Sequence, residues 1–238
     1  NQRSPSAKII ITGCYAQLKP KKISALSKAN LIVGTEKKMN LLKYIIKNEF
    51  SSSHKIIHSK VSELTNFQPS YSLNDRTRSF LKIQDGCDYT CSFCTIPLAR
   101  GKSRNLAIKD VVNDARNIAR NGINEIVLTG VNIGDFKHSD NQYFIDLIKS
   151  LEQVSGISRY RISSIEPNLL TDEIIEFVSR SNKFLPHFHI PLQSGSNKIL
   201  KLMRRRYNIN LYLDRIKLIK SLMPKSAIGI DIIVGFPS

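Results

Sequence analysis

Phe80-Leu81-Lys82-Ile83-Gln84-Asp85-Gly86-Cys87-Asp88-Tyr89-Thr90-Cys91-Ser92-Phe93-Cys94 reads as a short apolar strand that enters a glycine turn and then a CxxxCxxC loop. The strand is Phe80–Ile83, and Gly86 permits the tight turn before the first cysteine. Three thiolates within eight residues can wrap an iron–sulfur cubane. Such clusters otherwise take four cysteines, so one iron is left open for a ligand. A closed zinc site is the structural alternative, but zinc favours four ligands and commonly a second CxxC pair, which the sequence lacks.

Outward from this loop, β-rich runs alternate with longer helical ones. Glu125–Thr129, Tyr160–Ser164, His187–Ile190 and Ile228–Val234 read as strands. Ile108–Asn121, Tyr143–Val154, Thr171–Arg180, Ser196–Met203 and Leu211–Leu222 read as helices, several opened by polar capping residues such as Thr171. Five βα-type repeats imply a parallel sheet or barrel whose chemistry sits at the C-terminal strand ends, where the cysteine loop falls. Five strands are too few for an eightfold barrel, and the chain halts at Gly235-Phe236-Pro237-Ser238, so the core reads as truncated after its fifth strand.

Upstream, Lys8–Thr12 and Asn30–Val33 read as strands with a helical stretch between them, and a helix follows at Lys38–Lys47. Residues 51–76 have weak periodicity, with Ser51-Ser52-Ser53 and a Gln-, Pro- and Ser-rich stretch at 66–74. The expected architecture is α/β: the tail of a smaller α/β domain over 1–60, a linker over 61–75 with a boundary near Asp75, and a partial (β/α) barrel over 76–238.

The 238 residues carry 36 Lys+Arg against 19 Asp+Glu, a formal charge of +17. That field attracts polyanions such as nucleic acid. It is densest over residues 1–60, with 12 Lys/Arg against 2 Asp/Glu, although a generally Lys-rich composition produces the same bias. No apolar run approaches the roughly 20 residues that span a bilayer, and the polar start lacks a secretory signal pattern. A cytoplasmic location without membrane attachment is expected. Four cysteines, three of them clustered, suit metal or redox chemistry better than a disulfide framework.

The motif and its flanks resemble the radical S-adenosylmethionine (radical SAM) methylthiotransferases. CxxxCxxC is the hallmark of radical SAM enzymes, and Leu81 through Gly101 looks like the methylthiotransferase version of it. The same family is resembled by Gly13-Cys14-Tyr15-Ala16-Gln17, Leu128-Thr129-Gly130-Val131-Asn132, Ser163-Ser164-Ile165-Glu166-Pro167 and His189-Ile190-Pro191-Leu192-Gln193-Ser194-Gly195-Ser196. Met203-Arg204-Arg205-Arg206-Tyr207 fits its MxRxY pattern, and Asp231-Ile232-Ile233-Val234-Gly235-Phe236-Pro237 its fifth barrel strand.

The resemblance implies that Cys87, Cys91 and Cys94 hold a 4Fe-4S cluster whose open iron chelates S-adenosylmethionine, which is cleaved reductively to a 5′-deoxyadenosyl radical. Phe93 would pack on the cofactor's adenine. Gly130, Ser163, Ser164, Glu166, Gln193 and Asp231 would line its pocket, with Ser194 and His189 near the same strand end and Arg205 pairing the cofactor's carboxylate. Cys14 matches the last of three cysteines for an auxiliary 4Fe-4S cluster that supplies sulfur; the other two are not in this sequence, so the chain reads as part of a longer protein. A cellular electron donor is implied as well.

The loop Thr95-Ile96-Pro97-Leu98-Ala99-Arg100-Gly101-Lys102-Ser103-Arg104 resembles the group acting on N6-threonylcarbamoyladenosine at position 37 of tRNA. The reaction expected is replacement of the adenine C2 hydrogen by a methylthio group, using two S-adenosylmethionine molecules. The partner would be the tRNA anticodon stem-loop, whose unpaired bases can be splayed into a pocket. Arg100, Lys102 and Arg104 would meet its phosphates or the threonyl carboxylate. The alternatives are methylthiolation of a ribosomal-protein aspartate and a zinc-stabilised RNA-binding module without catalysis.

Overall fold

A computed structural model describes residues 4, 6–47, 55–73, 77–138 and 141–237. The serine run at 51–53 and the boundary at Asp75 lie outside the described residues. The chain divides into two units, Asn1–Thr65 with Thr95–Lys102, and Asn66–Cys94 with Ser103–Ser238. Residues 95–102, read from sequence as part of the barrel, thus fall with the first unit.

In the first unit, β1 (Ile10–Thr12), β2 (Leu31–Val33) and β3 (Lys55–Ile57) form a parallel sheet in that order. Central β2 is buried at all three residues, as expected of an apolar strand covered on both faces. Gly13 turns the chain from β1 into α1 (Cys14–Leu18) with a φ of 116°, a conformation that L side chains rarely adopt. α2 (Pro20–Leu26) starts on a proline whose missing N–H costs nothing in a first turn. Ala16, Ile23, Ala29 and Ile32 make a small core. The helix expected over 38–47 is a 3₁₀ turn at Lys37–Asn40 followed by α3 (Leu41–Ile46), which buries none of its residues. The excursion helix α4 (Ile96–Arg100) is tied here because the Thr35 hydroxyl donates to the Ala99 carbonyl at 3.0 Å.

The second unit runs β4 (Ser70–Tyr71), β5 (Ser79–Lys82), β6 (Gln84–Asp85), β7 (Arg104–Asn105), α5 (Ile108–Arg120), β8 (Glu125–Thr129), β9 (Lys137–His138), β10 (Gln142–Tyr143), α6 (Phe144–Glu152), β11 (Arg159–Ile162), α7 (Asp172–Arg180), β12 (His187–His189), α8 (Asn197–Leu202), α9 (Ile209–Leu222) and β13 (Ala227–Gly229). Strands β5, β8 and β11 pair in parallel, with β4 antiparallel on the outer side of β5. The series continues past β11: the Tyr160 N–H donates to the Lys183 carbonyl at 2.8 Å, and Ser164 pairs with His189, leading into the parallel pair β12 and β13. Five parallel strands therefore follow one another in chain order, the partial (β/α) barrel that the alternating pattern predicts.

Leu81, Ile126, Leu128, Tyr160, Ile162 and Phe188 are buried on these strands, and α5, α6 and α7 lay apolar faces over them. Each such aliphatic side chain contributes roughly 1.5–3 kcal/mol by leaving water. Helix starts follow their caps. The Thr171 hydroxyl accepts from the Ile174 N–H, and the Asn208 carboxamide accepts from the Leu211 N–H at 2.9 Å, which moves the start of α9 to Ile209. The fifth strand is shorter than read: regular pairing covers only Ala227–Gly229, and Ile232 rejoins the partner strand in a single bridge to Gln193.

Candidate active site

The cysteine loop hangs from the turn after β6. Gln84 is fully buried and works in both directions. Its Nε2 donates to the Gly86 carbonyl at 2.7 Å and to the Ser103 hydroxyl at 2.9 Å. Its Oε1 accepts from the Val131 and Asn132 N–H groups, both at 2.9 Å. One side chain thus holds the cysteine turn against the loop leaving β8. Gly130 fits beside it because a Cβ there would lie 3.0 Å from the Gln84 carbonyl oxygen and 2.8 Å from Ile133 Cγ2. The Gly86 φ of 73° completes the turn.

Polar hydrogens point at the sulfurs. The Tyr89 N–H donates to Cys87 Sγ at 3.4 Å, and Asn132 Nδ2 approaches the same sulfur at 3.9 Å. The buried Asn132 Oδ1 has no protein partner. Cys91 is buried and receives Arg205 Nη1 at 3.0 Å. Burial pushes the Cys87 and Cys91 thiols up, and the Arg205 guanidinium pulls Cys91 back down. Three thiols on one short loop, two of them facing N–H donors that favour thiolate, fit an iron–sulfur cluster by their donor chemistry. Among the described residues, no three His, Cys, Asp or Glu side chains converge closely enough to hold a single metal ion.

Arg205 is anchored from two sides. Its Nη2 donates to the Glu166 carboxylate, and the guanidinium lies over the Tyr207 ring at 5.1 Å. Burial disfavours the cation, but Glu166 outweighs this and leaves Arg205 harder to deprotonate than usual. The Glu166 carboxyl is itself raised by burial, with Arg205 opposing the shift. Arg206, the next residue, stacks on Tyr89 at 3.9 Å and donates to the Asp88 carbonyl at 3.1 Å. Ser92 completes this brace: its N–H donates to the Met203 carbonyl at 3.2 Å and its hydroxyl to the Leu202 carbonyl at 3.0 Å.

Along the strand ends, Ser164 Oγ lies 2.5 Å from His189 Nδ1, and His189 Nε2 lies 3.2 Å from Asp231 Oδ2. Three successive strands thus contribute one polar line. Gly229 leaves room for the imidazole, since a Cβ there would meet His189 Cδ2 at 3.3 Å. The Gln193 N–H donates to the Asp231 carbonyl at 2.8 Å with the residue in the left-handed region, φ 63°. Ser163 and Ser194 are half-buried nearby in sequence, and Phe93 is 39% exposed.

The three basic residues of the 95–104 loop separate. Arg104 donates to Asp85 at 3.3 Å and to the Asn66 carbonyl at 3.1 Å, inside the second unit. Arg100 belongs to the first unit, where its Nε donates to Cys14 Sγ at 3.4 Å. Lys102 belongs to that unit as well. Gln84, Asn132, Tyr89 and Arg206 were not assigned roles from sequence; for Gln84 the only signal was its place two residues before the glycine of the cysteine motif.

Residues 81–238 match the protein family described as the Radical SAM superfamily. The chain is 40% identical over 243 residues to the threonylcarbamoyladenosine tRNA methylthiotransferase MtaB of Bacillus subtilis (strain 168), covering 99% of this chain and 53% of that protein. It is 33% identical over 237 residues to the tRNA-2-methylthio-N(6)-dimethylallyladenosine synthase of Thermodesulfovibrio yellowstonii, covering 99% and 54%. The chain spans about half the length of these relatives. Among solved structures, the cobalamin-dependent S-adenosylmethionine radical enzyme OxsB, with aqua-cobalamin and S-adenosylmethionine bound, aligns with a TM-score of 0.69 at 16% identity, covering 98% of this chain and 37% of that one. At that identity the likeness bears on the fold.

Proposed function

The chain belongs to the radical SAM superfamily, and from that membership we propose that it forms the core of a tRNA methylthiotransferase acting at C2 of N6-threonylcarbamoyladenosine 37. The observation that carries this reading is the 40% identity across essentially the whole chain to a protein named for that reaction. The +17 charge supports a polyanionic substrate.

Cys87, Cys91 and Cys94 would hold the 4Fe-4S cluster, which when bound supplies the electron for reductive cleavage of S-adenosylmethionine. Gln84 and Asn132 keep the cysteine loop at the strand ends, so the cofactor meets a fixed frame. Phe93 offers a ring face for the adenine, and the Ser164–His189–Asp231 line offers hydroxyl and imidazole groups to its ribose. The unpaired Asn132 Oδ1 is an acceptor for a cofactor amine. Glu166 is occupied by Arg205, so its part in cofactor binding is indirect. Cys14 would be one ligand of the auxiliary cluster, with Arg100 donating to its sulfur.

The anticodon loop is the partner proposed, with a cellular reductant as electron donor and the cytoplasm as location. Among the described residues no helix is long and apolar enough to cross a membrane. The test is anaerobic reconstitution of the full-length protein, incubation with tRNA and S-adenosylmethionine, and nucleoside mass spectrometry. The expected product is 2-methylthio-N6-threonylcarbamoyladenosine. Exclusive formation of the methylthio-dimethylallyl nucleoside would favour the second relative's reaction, and labelling of a ribosomal protein without any tRNA product would remove the tRNA assignment.

A further inference from the structure

We propose that Arg205 and Glu166 set the reduction potential of the cluster held by Cys87, Cys91 and Cys94, with Arg205 raising it through its hydrogen bond to the Cys91 sulfur. The inference rests on the cluster reading above and assigns to these two residues a part that is separate from cofactor binding.

The geometry is specific. Arg205 Nη1 lies 3.0 Å from Cys91 Sγ, and Nη2 is spent on Glu166. The Arg205 side chain is only 4% exposed, so solvent screens the contact little. Its approach is built into the chain: Arg204 turns with a φ of 58°, the Arg205 N–H donates to the Leu200 carbonyl at 2.9 Å, and the Tyr207 ring backs the guanidinium. An unpaired guanidinium here would lose its hydration without compensation. Glu166 makes the burial tolerable, and because the cation lies between it and the cysteine, the pair is a dipole with its positive end on the sulfur.

The consequence follows from charge. One-electron reduction adds a negative charge to the iron–sulfur core, and hydrogen bonds to cluster sulfurs together with local net charge are what set such potentials. A guanidinium N–H on Cys91 stabilises the reduced state more than the oxidised one and raises the potential. Glu166 acts in the opposite sense, so the two residues predict shifts of opposite sign. A purely structural clamp predicts no shift from either.

The test uses the full-length protein reconstituted anaerobically, as wild type, Arg205→Gln and Glu166→Gln. Iron and sulfide are counted, and the midpoint of the cluster whose electron paramagnetic resonance signal responds to S-adenosylmethionine is titrated. Arg205→Gln is expected to move that midpoint to more negative potential, and Glu166→Gln to more positive. Glu166→Gln keeps shape and a hydrogen-bond acceptor for the arginine, so it reads the sign even where Arg205→Gln fails to fold or load. Loaded variants with unshifted midpoints, or a negative shift in Glu166→Gln, overturn the inference. A wild-type protein that takes up no iron at these cysteines overturns the cluster reading beneath it, a result the iron count separates from the first.

Discussion

Replacing Gln84 by alanine should loosen the cysteine loop. The substitution deletes bonds to the Gly86 carbonyl, the Ser103 hydroxyl and the Val131 and Asn132 N–H groups. Gly86 and Asn132 are buried, so their backbone groups lose a partner where water enters poorly, whereas Val131 and Ser103 are partly exposed and recover some hydration. At about 1–3 kcal/mol for each stranded buried group, less what water restores, the expected loss is about 3 kcal/mol. For a protein of this size that corresponds to roughly 6–12 °C in Tm. Thermal unfolding of the apo protein by circular dichroism measures the first quantity, and iron bound after reconstitution measures the second, which should fall as the loop loses its frame. Gln84→Glu, which keeps the acceptor for the two N–H groups, should lie between alanine and wild type. A loss below about 0.5 kcal/mol with full iron uptake would refute the reasoning and place the restraint on Asp85 and Ser92 instead.

Three further outcomes are expected. Cys91→Ala should abolish iron uptake at the CxxxCxxC loop, with little change in apo stability since the side chain shrinks only slightly; iron analysis against a melting curve separates the two effects. Gly130→Ala should destabilise by about 1–3 kcal/mol, because its Cβ meets Ile133 and the Gln84 carbonyl and the fully buried neighbours must shift; urea unfolding at constant m-value checks it. Burial, helped by the Arg161 cation, holds His187 below its ordinary 6.5, so the folded state resists protonation. The resulting stability is present above pH 6.5 and lost as pH falls below it, and His187→Gln should show a shallower decline than wild type between about pH 7.5 and about pH 5.5; parallel declines would exclude the effect.

How much of this was readable from sequence depended on range. β8 matched its reading end to end, Glu125–Thr129, because Ile-Val-Leu buried on both faces has no competing interpretation. The fifth strand was read too long: regular pairing stops at Gly229, and the partner side then runs through Pro191 to Gln193, whose left-handed φ of 63° interrupts an extended strand. β3 was missed because Lys55-Ile56-Ile57 is too short to show a period. The cysteines were legible because a cluster imposes their spacing locally. Gln84 and Asn132 were not, since a common residue type acquires its role only through a partner 48 positions away. Arg100 illustrates the same limit: its place beside the motif gave no sign that its Nε donates to a sulfur 86 positions upstream.

The brace between the cysteine loop and the segment after α8 has a consequence for biosynthesis. The bonds Ser92–Leu202, Cys91–Arg205 and Asp88–Arg206 close loops of 110, 114 and 118 residues. At roughly 5–20 residues per second, a ribosome needs about 6–23 s to travel from the cysteines to their supports. During that interval the three thiols leave the exit tunnel without Arg205 or Tyr207 beside them, at their most open to oxygen and stray metal. The supports contributed by Leu202, Arg205 and Arg206 therefore reach the cysteine loop only once the polypeptide has passed Arg206, so the loop is the last part of this brace to be secured.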